Sequence, residues 1–133
     1  MAKRQRVDPG WKTYLNNPGL TFSPAVRGGN MLFISGITGV DPKTGRLVSS
    51  NDIVSQARQI YRNIGDILEA AGATFDNVVQ TIDYITTREN YKKTAEIRRE
   101  FFGNSFPASA GFVVKELLRK DALIEVTAIA LLD

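Results

Sequence analysis

A chain of 133 residues, 43% hydrophobic and 23% charged, is long enough to bury one core and too short for two. It has no Cys and no His, which excludes disulfides, thiol nucleophiles, imidazole bases and the usual transition-metal ligand sets. The net charge of +3 resides in the first twelve residues, where Lys3, Arg4, Arg6 and Lys12 face only Asp8; the neutral remainder argues against nucleic acid as a partner.

No apolar run approaches the ~20 residues that span a bilayer, and no apolar segment follows the basic N-terminus as in a secretory signal. No membrane partner and a cytoplasmic location are therefore expected. Residues 1–20 read as an extended arm on a single domain spanning 1–133, with Gly, Pro and Asn frequent from residue 7 onward. Trp11 and Tyr14 could pin that arm to the body or overhang a pocket, and pinning is the commoner use of such aromatics.

Phe22–Arg27 reads as a short edge strand, because Pro24 cannot donate to a central ladder. Gly28-Gly29-Asn30 signals a hairpin turn, and Met31–Thr38 a buried strand behind it. A polar turn at Asp41-Pro42-Lys43-Thr44-Gly45 precedes the clearest helix. In that helix Ile53, Ala57, Ile60, Ile64, Ile67 and Ala71 recur at steps of three and four and form one apolar stripe. Ser50 or Asn51 can cap its start, and Gly72 can end it in a left-handed conformation. Gln56, Arg58, Gln59, Arg62, Asp66 and Glu69 are assigned to its solvent face.

Val78–Thr86 reads as a third strand and Asn90–Phe102 as a second helix, with Tyr91, Thr94, Ile97 and Phe101 inward. Its Lys92, Lys93, Arg98 and Arg99 alternate with Glu96 and Glu100, the pattern of a salt-laced solvent face. Gly103-Asn104-Ser105 ends it. A fourth strand follows over Ala108–Lys115, then a turn through Leu118-Arg119-Lys120-Asp121.

The last strand, residues 121–132, is apolar on both faces. Ile124, Val126, Ala128, Ala130 and Leu132 share one, and Leu123, Glu125, Thr127, Ile129 and Leu131 the other. Glu125 is a lone acid among them, and a carboxylate in such a place must find a partner or hold its proton. The order ββαβαββ predicts an α+β fold with one mixed sheet and two helices on one face. Nothing in the chain covers the other face, which argues for self-association.

Several ordered segments carry a resemblance. They are Gly29-Asn30-Met31 to Ser35-Gly36, Val40 to Gly45, Gln56-Ala57-Arg58-Gln59, Ala70-Ala71-Gly72, Phe101-Phe102, Phe106-Pro107-Ala108 and Ile124 to Ala130. From about Phe22 to Leu131 the chain resembles the Rid (YjgF/YER057c/UK114) family of enamine/imine deaminases. The resemblance implies a chorismate-mutase-like ββαβαββ fold and a homotrimer with small-molecule pockets at its subunit interfaces. It also implies hydrolytic deamination that needs no metal or cofactor, with Glu125 as the catalytic acid and Ser35, Gly36, Ser109 and Ala110 around the substrate.

Two family features are missing. The Arg that grips a substrate carboxylate, two residues after Pro107, is Ser109 here, and a pocket Tyr falls on Ala25. There is also one extra residue between Pro107 and Glu125 relative to the usual spacing. A Ser hydroxyl cannot replace a bidentate, charge-assisted pair, so a bulkier or less acidic substrate is expected unless another cation reaches the site. Arg27, at the end of the first strand, is the candidate. A ligand-binding or regulatory trimer without catalysis is the competing reading.

Overall fold

The structure, a computed structural model, describes residues 3–12 and 17–133, so Tyr14 lies outside the described residues. In chain order the strands are β1 (Arg4–Val7), β2 (Ala25–Gly28), β3 (Met31–Thr38), a small hairpin of β4 (Val40–Asp41) and β5 (Arg46–Leu47), β6 (Val78–Ile85), β7 (Ala108–Val113) and β8 (Ile124–Leu131). Helix α1 (Ile53–Ala70) separates β5 from β6, and α2 (Thr94–Phe102) separates β6 from β7. Six strands form one mixed sheet in the order β1-β2-β3-β8-β6-β7. The parallel pair is β6 with β7, as a helical crossover between them requires.

β8 is the spine of the sheet, hydrogen-bonded to β3 on one side and β6 on the other, antiparallel to both. Ile124, Val126, Ala128, Ala130 and Leu132 are all buried under the helices. The opposite face stays open in the single chain, with Phe33 46% exposed, Leu131 46% and Phe112 53%. The α+β architecture expected from the sequence is therefore present, with two additions, the β4–β5 hairpin and β1. β1 pairs with β2 and covers the edge that was assigned to it; Pro24 precedes β2 and withholds no ladder donor.

The α1 stripe packs into the core as its periodicity demands, and Gly72 ends the helix at φ +74°. The cap is Asp52 rather than Ser50 or Asn51. Its Oδ1 accepts from the Val54 N–H at 3.0 Å and the Ser55 N–H at 3.3 Å. Gln56, assigned to solvent, is fully buried instead. Gly39 explains the close approach: a Cβ there would lie 2.8 Å from the Gln56 Cα. The Gln56 amide then donates to the carbonyls of Ser49 and Asp121 and accepts from the Leu123 N–H, fixing the turn before β8.

Arg98 also leaves the solvent face. Its Nη1 donates to the Tyr61 hydroxyl at 2.8 Å and to Thr81 Oγ1 at 3.3 Å, with the guanidinium over the Phe102 ring. Trp11 is buried, and its indole N–H donates to Asp66 Oδ2 at 3.1 Å, which pins the arm to α1. β8 starts later than expected because residues 121–123 belong to the turn, with Asp121 at φ +66°, and β7 ends at Val113.

Candidate active site

Glu125 stands on the open face of β8, in register with Thr38 of β3 and Tyr84 of β6. The β3–β8 ladder shifts register between Ile34 and Ile37, so Ser35-Gly36 forms a bulge beside it. Ser35 is committed within the chain: its N–H donates to the Pro24 carbonyl at 3.0 Å and its hydroxyl to the Ser23 carbonyl at 2.5 Å. Those bonds tie the bulge to the segment before β2. Gly36 gives the carboxylate its seat, since a Cβ there would come 2.6 Å from Glu125 Oε2. Burial pushes the Glu125 carboxyl above the ordinary carboxylate range.

The acid opens into two clefts. One, of about 630 Å³, is lined by Gly36 and Glu125, by Trp11, Lys12 and Phe22 from the N-terminal segment, and by Arg119. The other, of about 440 Å³, runs past Tyr84 and Lys120. Leu118, fully exposed at the tip of the β7–β8 turn, borders both. Among the described residues no group of acidic side chains is placed to hold a metal ion.

The remaining sequence-assigned residues lie elsewhere in the single chain. Ser109 and Ala110 are on the sheet's edge strand, where Ser109 pairs with Thr81, whereas the row of Glu125 passes through Tyr84 to Phe112. Thr81 Oγ1 lies 3.3 Å from Ser109 Oγ, which turns Ser109 toward the helix side. Ala25 is buried in the core. Arg27 sits at the β2–β3 hairpin, its Nε–H donating to the Gly29 carbonyl at 2.9 Å, in a surface hollow with Lys3 and Gln5. Gly36 and Glu125 are thus brought together with Ser35 behind them, and Ser109, Ala110 and Arg27 are not. Lys12, Phe22 and Arg119, which also line the cleft, were not assigned to it from the sequence, because an arm and a turn carry no periodic signal; Trp11 both pins the arm and overhangs the cleft.

The family model described as Endoribonuclease L-PSP matches residues 16–132. The chain belongs to the Rid (YjgF/YER057c/UK114) family. A RutC family protein of Pyrococcus horikoshii is 43% identical over 109 residues, 82% of this chain and 85% of that protein. The 2-iminobutanoate/2-iminopropanoate deaminase of Homo sapiens is 37% identical over 110 residues, 83% of this chain and 79% of that protein. The crystal structure of a Rid family protein from Yersinia pestis superposes with a TM-score of 0.85 at 32% identity, covering 98% of this chain and all of that one. Imine deaminases are therefore among the Rid relatives of this chain, and its sheet and helices are the Rid architecture.

Proposed function

We propose that this chain hydrolyses imines and enamines to a carbonyl compound and ammonia, on substrates larger than the small 2-imino acids for which the human relative is named. The observation that carries the reading is Glu125, a carboxyl seated on Gly36 inside a cleft, with its pKa raised by burial. A water adds to the C=N carbon and gives a carbinolamine. The C–N bond then breaks with its electron pair on nitrogen, and the Glu125 acid protonates the departing ammonia. The carbinolamine hydroxyl returns a proton to the Glu125 carboxylate as the carbonyl forms. An acid whose pKa is lifted toward neutrality suits both transfers.

The reading includes a homotrimer. The uncovered face with Phe33, Phe112 and Leu131 supports self-association, because apolar surface of that kind is stabilised by burial. In such an assembly the β7 edge of one copy, with Ser109 and Ala110, would face the Glu125 cleft of the next. Small side chains there, with Trp11 and Phe22 lining the cleft, favour a bulky substrate.

The test is ammonia release from imines of increasing side-chain size, generated in situ, together with light scattering. Faster release from aromatic than from two- or three-carbon side chains is expected, from a trimer. A stable monomer at micromolar concentration would sink the interface reading. Ser109 in place of a gripping Arg favours one competing reading, a ligand-binding trimer without catalysis; binding of the same compounds without ammonia release would select it.

A further inference from the structure

The Glu125 cleft receives one guanidinium, Arg119, from the turn between β7 and β8. We propose that Arg119 holds the anionic group of the substrate, a carboxylate or like oxyanion, on a molecule whose C=N group lies over Glu125. The proposal deepens the hydrolase reading above and rests on it.

Arg119 is charged and uncompensated. Its Nη2–H donates to the Gly45 carbonyl at 2.8 Å, a neutral acceptor, which uses one of five donors. The ion pairs among the described residues are Arg6–Asp8, Arg58–Glu100 and Arg99–Glu96, so no carboxylate within 4.0 Å neutralises it. Glu125 lines the same cleft without pairing to it, and the Glu125 carboxyl is shifted by burial with no cation offsetting that shift. The two groups are thus more than 4.0 Å apart on the wall of one cleft of about 630 Å³, room enough for a molecule that carries both an anion and a C=N group. Among the described residues the charged ones lining this cleft are Lys12, Arg119 and Glu125, so an anion meets a net positive wall.

The turn that carries Arg119 is held by hydrogen bonds at both ends of its reach. Asp121 takes φ +66° and the Ala122 N–H donates to the Arg119 carbonyl at 3.2 Å, closing the turn. The buried Gln56 amide holds the Asp121 carbonyl and the Leu123 N–H immediately beyond it. At the other end the Gly45 carbonyl belongs to the β4–β5 turn, which the Gly45 N–H closes onto the Asp41 carbonyl at 2.8 Å. A guanidinium tethered between two hydrogen-bonded turns loses little freedom when it binds a planar anion. Trp11 and Phe22, in the same cleft, fit an aromatic or branched group next to that anion.

The test pairs a carboxylate probe with a neutral one of similar bulk. The imines are 2-imino-3-phenylpropanoate, made in situ from phenylalanine by an amino-acid oxidase, and the imine of phenylacetone. The stable ligands are 3-phenyl-2-oxopropanoate and phenylacetone, titrated calorimetrically. In Arg119→Met, KM for the imino acid and Kd for the oxo acid should both rise on the order of ten- to a hundredfold more than the values for the neutral probes. Arg119→Lys should recover part of the difference, whereas a purely structural role would move both probes alike. Equal changes for charged and neutral probes, unchanged oxo-acid binding in Arg119→Met, or no oxo-acid binding by the native chain would each overturn the proposal. Arg119-dependent oxo-acid binding by a protein that hydrolyses neither imine would uphold the anion site and remove the hydrolase reading.

Discussion

Two acids on neighbouring strands meet burial in different ways. Glu125 on β8 pairs across with Tyr84, and one step along the same ladder Asp83 on β6 pairs with Val126. They lie on opposite faces of the sheet. Burial raises both carboxyl pKa values. Asp83 is 2% exposed, between the sheet and the helix side, with the Tyr91 hydroxyl donating to its Oδ2 at 2.6 Å and no partner for Oδ1. Glu125 is half-buried, opens into two clefts, and rests on a glycine. A lifted pKa therefore does not by itself mark a site: only the acid that a substrate can reach can exchange a proton with one.

The largest expected effect breaks the comparison at its functional end. Glu125→Gln keeps the shape and removes the proton, so turnover should fall on the order of a hundredfold or more while melting temperature and oligomeric state hold. Rate and light scattering on one sample decide it, and undiminished turnover from an intact assembly would remove Glu125 from the mechanism. A smaller loss is expected for Gly36→Ala. Its Cβ would come 2.6 Å from the carboxylate, so the acid must swing out of its seat. Turnover should drop roughly tenfold with a lower apparent pKa in the pH–rate profile, since a displaced carboxyl is better solvated. A profile unchanged in both rate and pKa would mean that the seat is immaterial.

The sheet's spine was legible because β8 is apolar at every position but two, Glu125 and Thr127, and no turn residue interrupts it. The α1 stripe was legible for the same reason, a period that tertiary packing did not override. Gln56 was not, because a glutamine at a helix position reads as solvated unless the glycine opposite and the unpaired turn groups beside it are known. Arg98 was misread in the same way, as its long stem reaches Tyr61 and Thr81 from a helix face that looks solvated. Of the candidate site, Glu125 and Gly36 were named from one strand's pattern and a family motif, and the structure places them side by side. Arg119 was not, because a cation in a turn gains its meaning from the β4–β5 hairpin it reaches across space. Arg27 looked better placed in sequence and lies at the other end of the sheet.

The smallest effect tests the silent acid. With its pKa raised by burial, opposed by the Tyr91 hydrogen bond and by the charge of Arg98, folded Asp83 holds its proton more tightly than in the unfolded chain. The stability this gives is fully present below the ordinary value of 3.8 and is lost as pH rises through the folded pKa. Asp83→Asn keeps an acceptor for the Tyr91 hydroxyl and cannot ionise. Urea midpoints should then fall less between pH 4 and pH 8 than in the native chain, so the variant gains stability relative to it as pH rises. Turnover should scarcely change, because Asp83 lines neither cleft beside Glu125. Parallel stability curves would show instead that Asp83 is ionised in the fold, with Arg98 compensating the charge. The two acids would then differ in charge as well as in access.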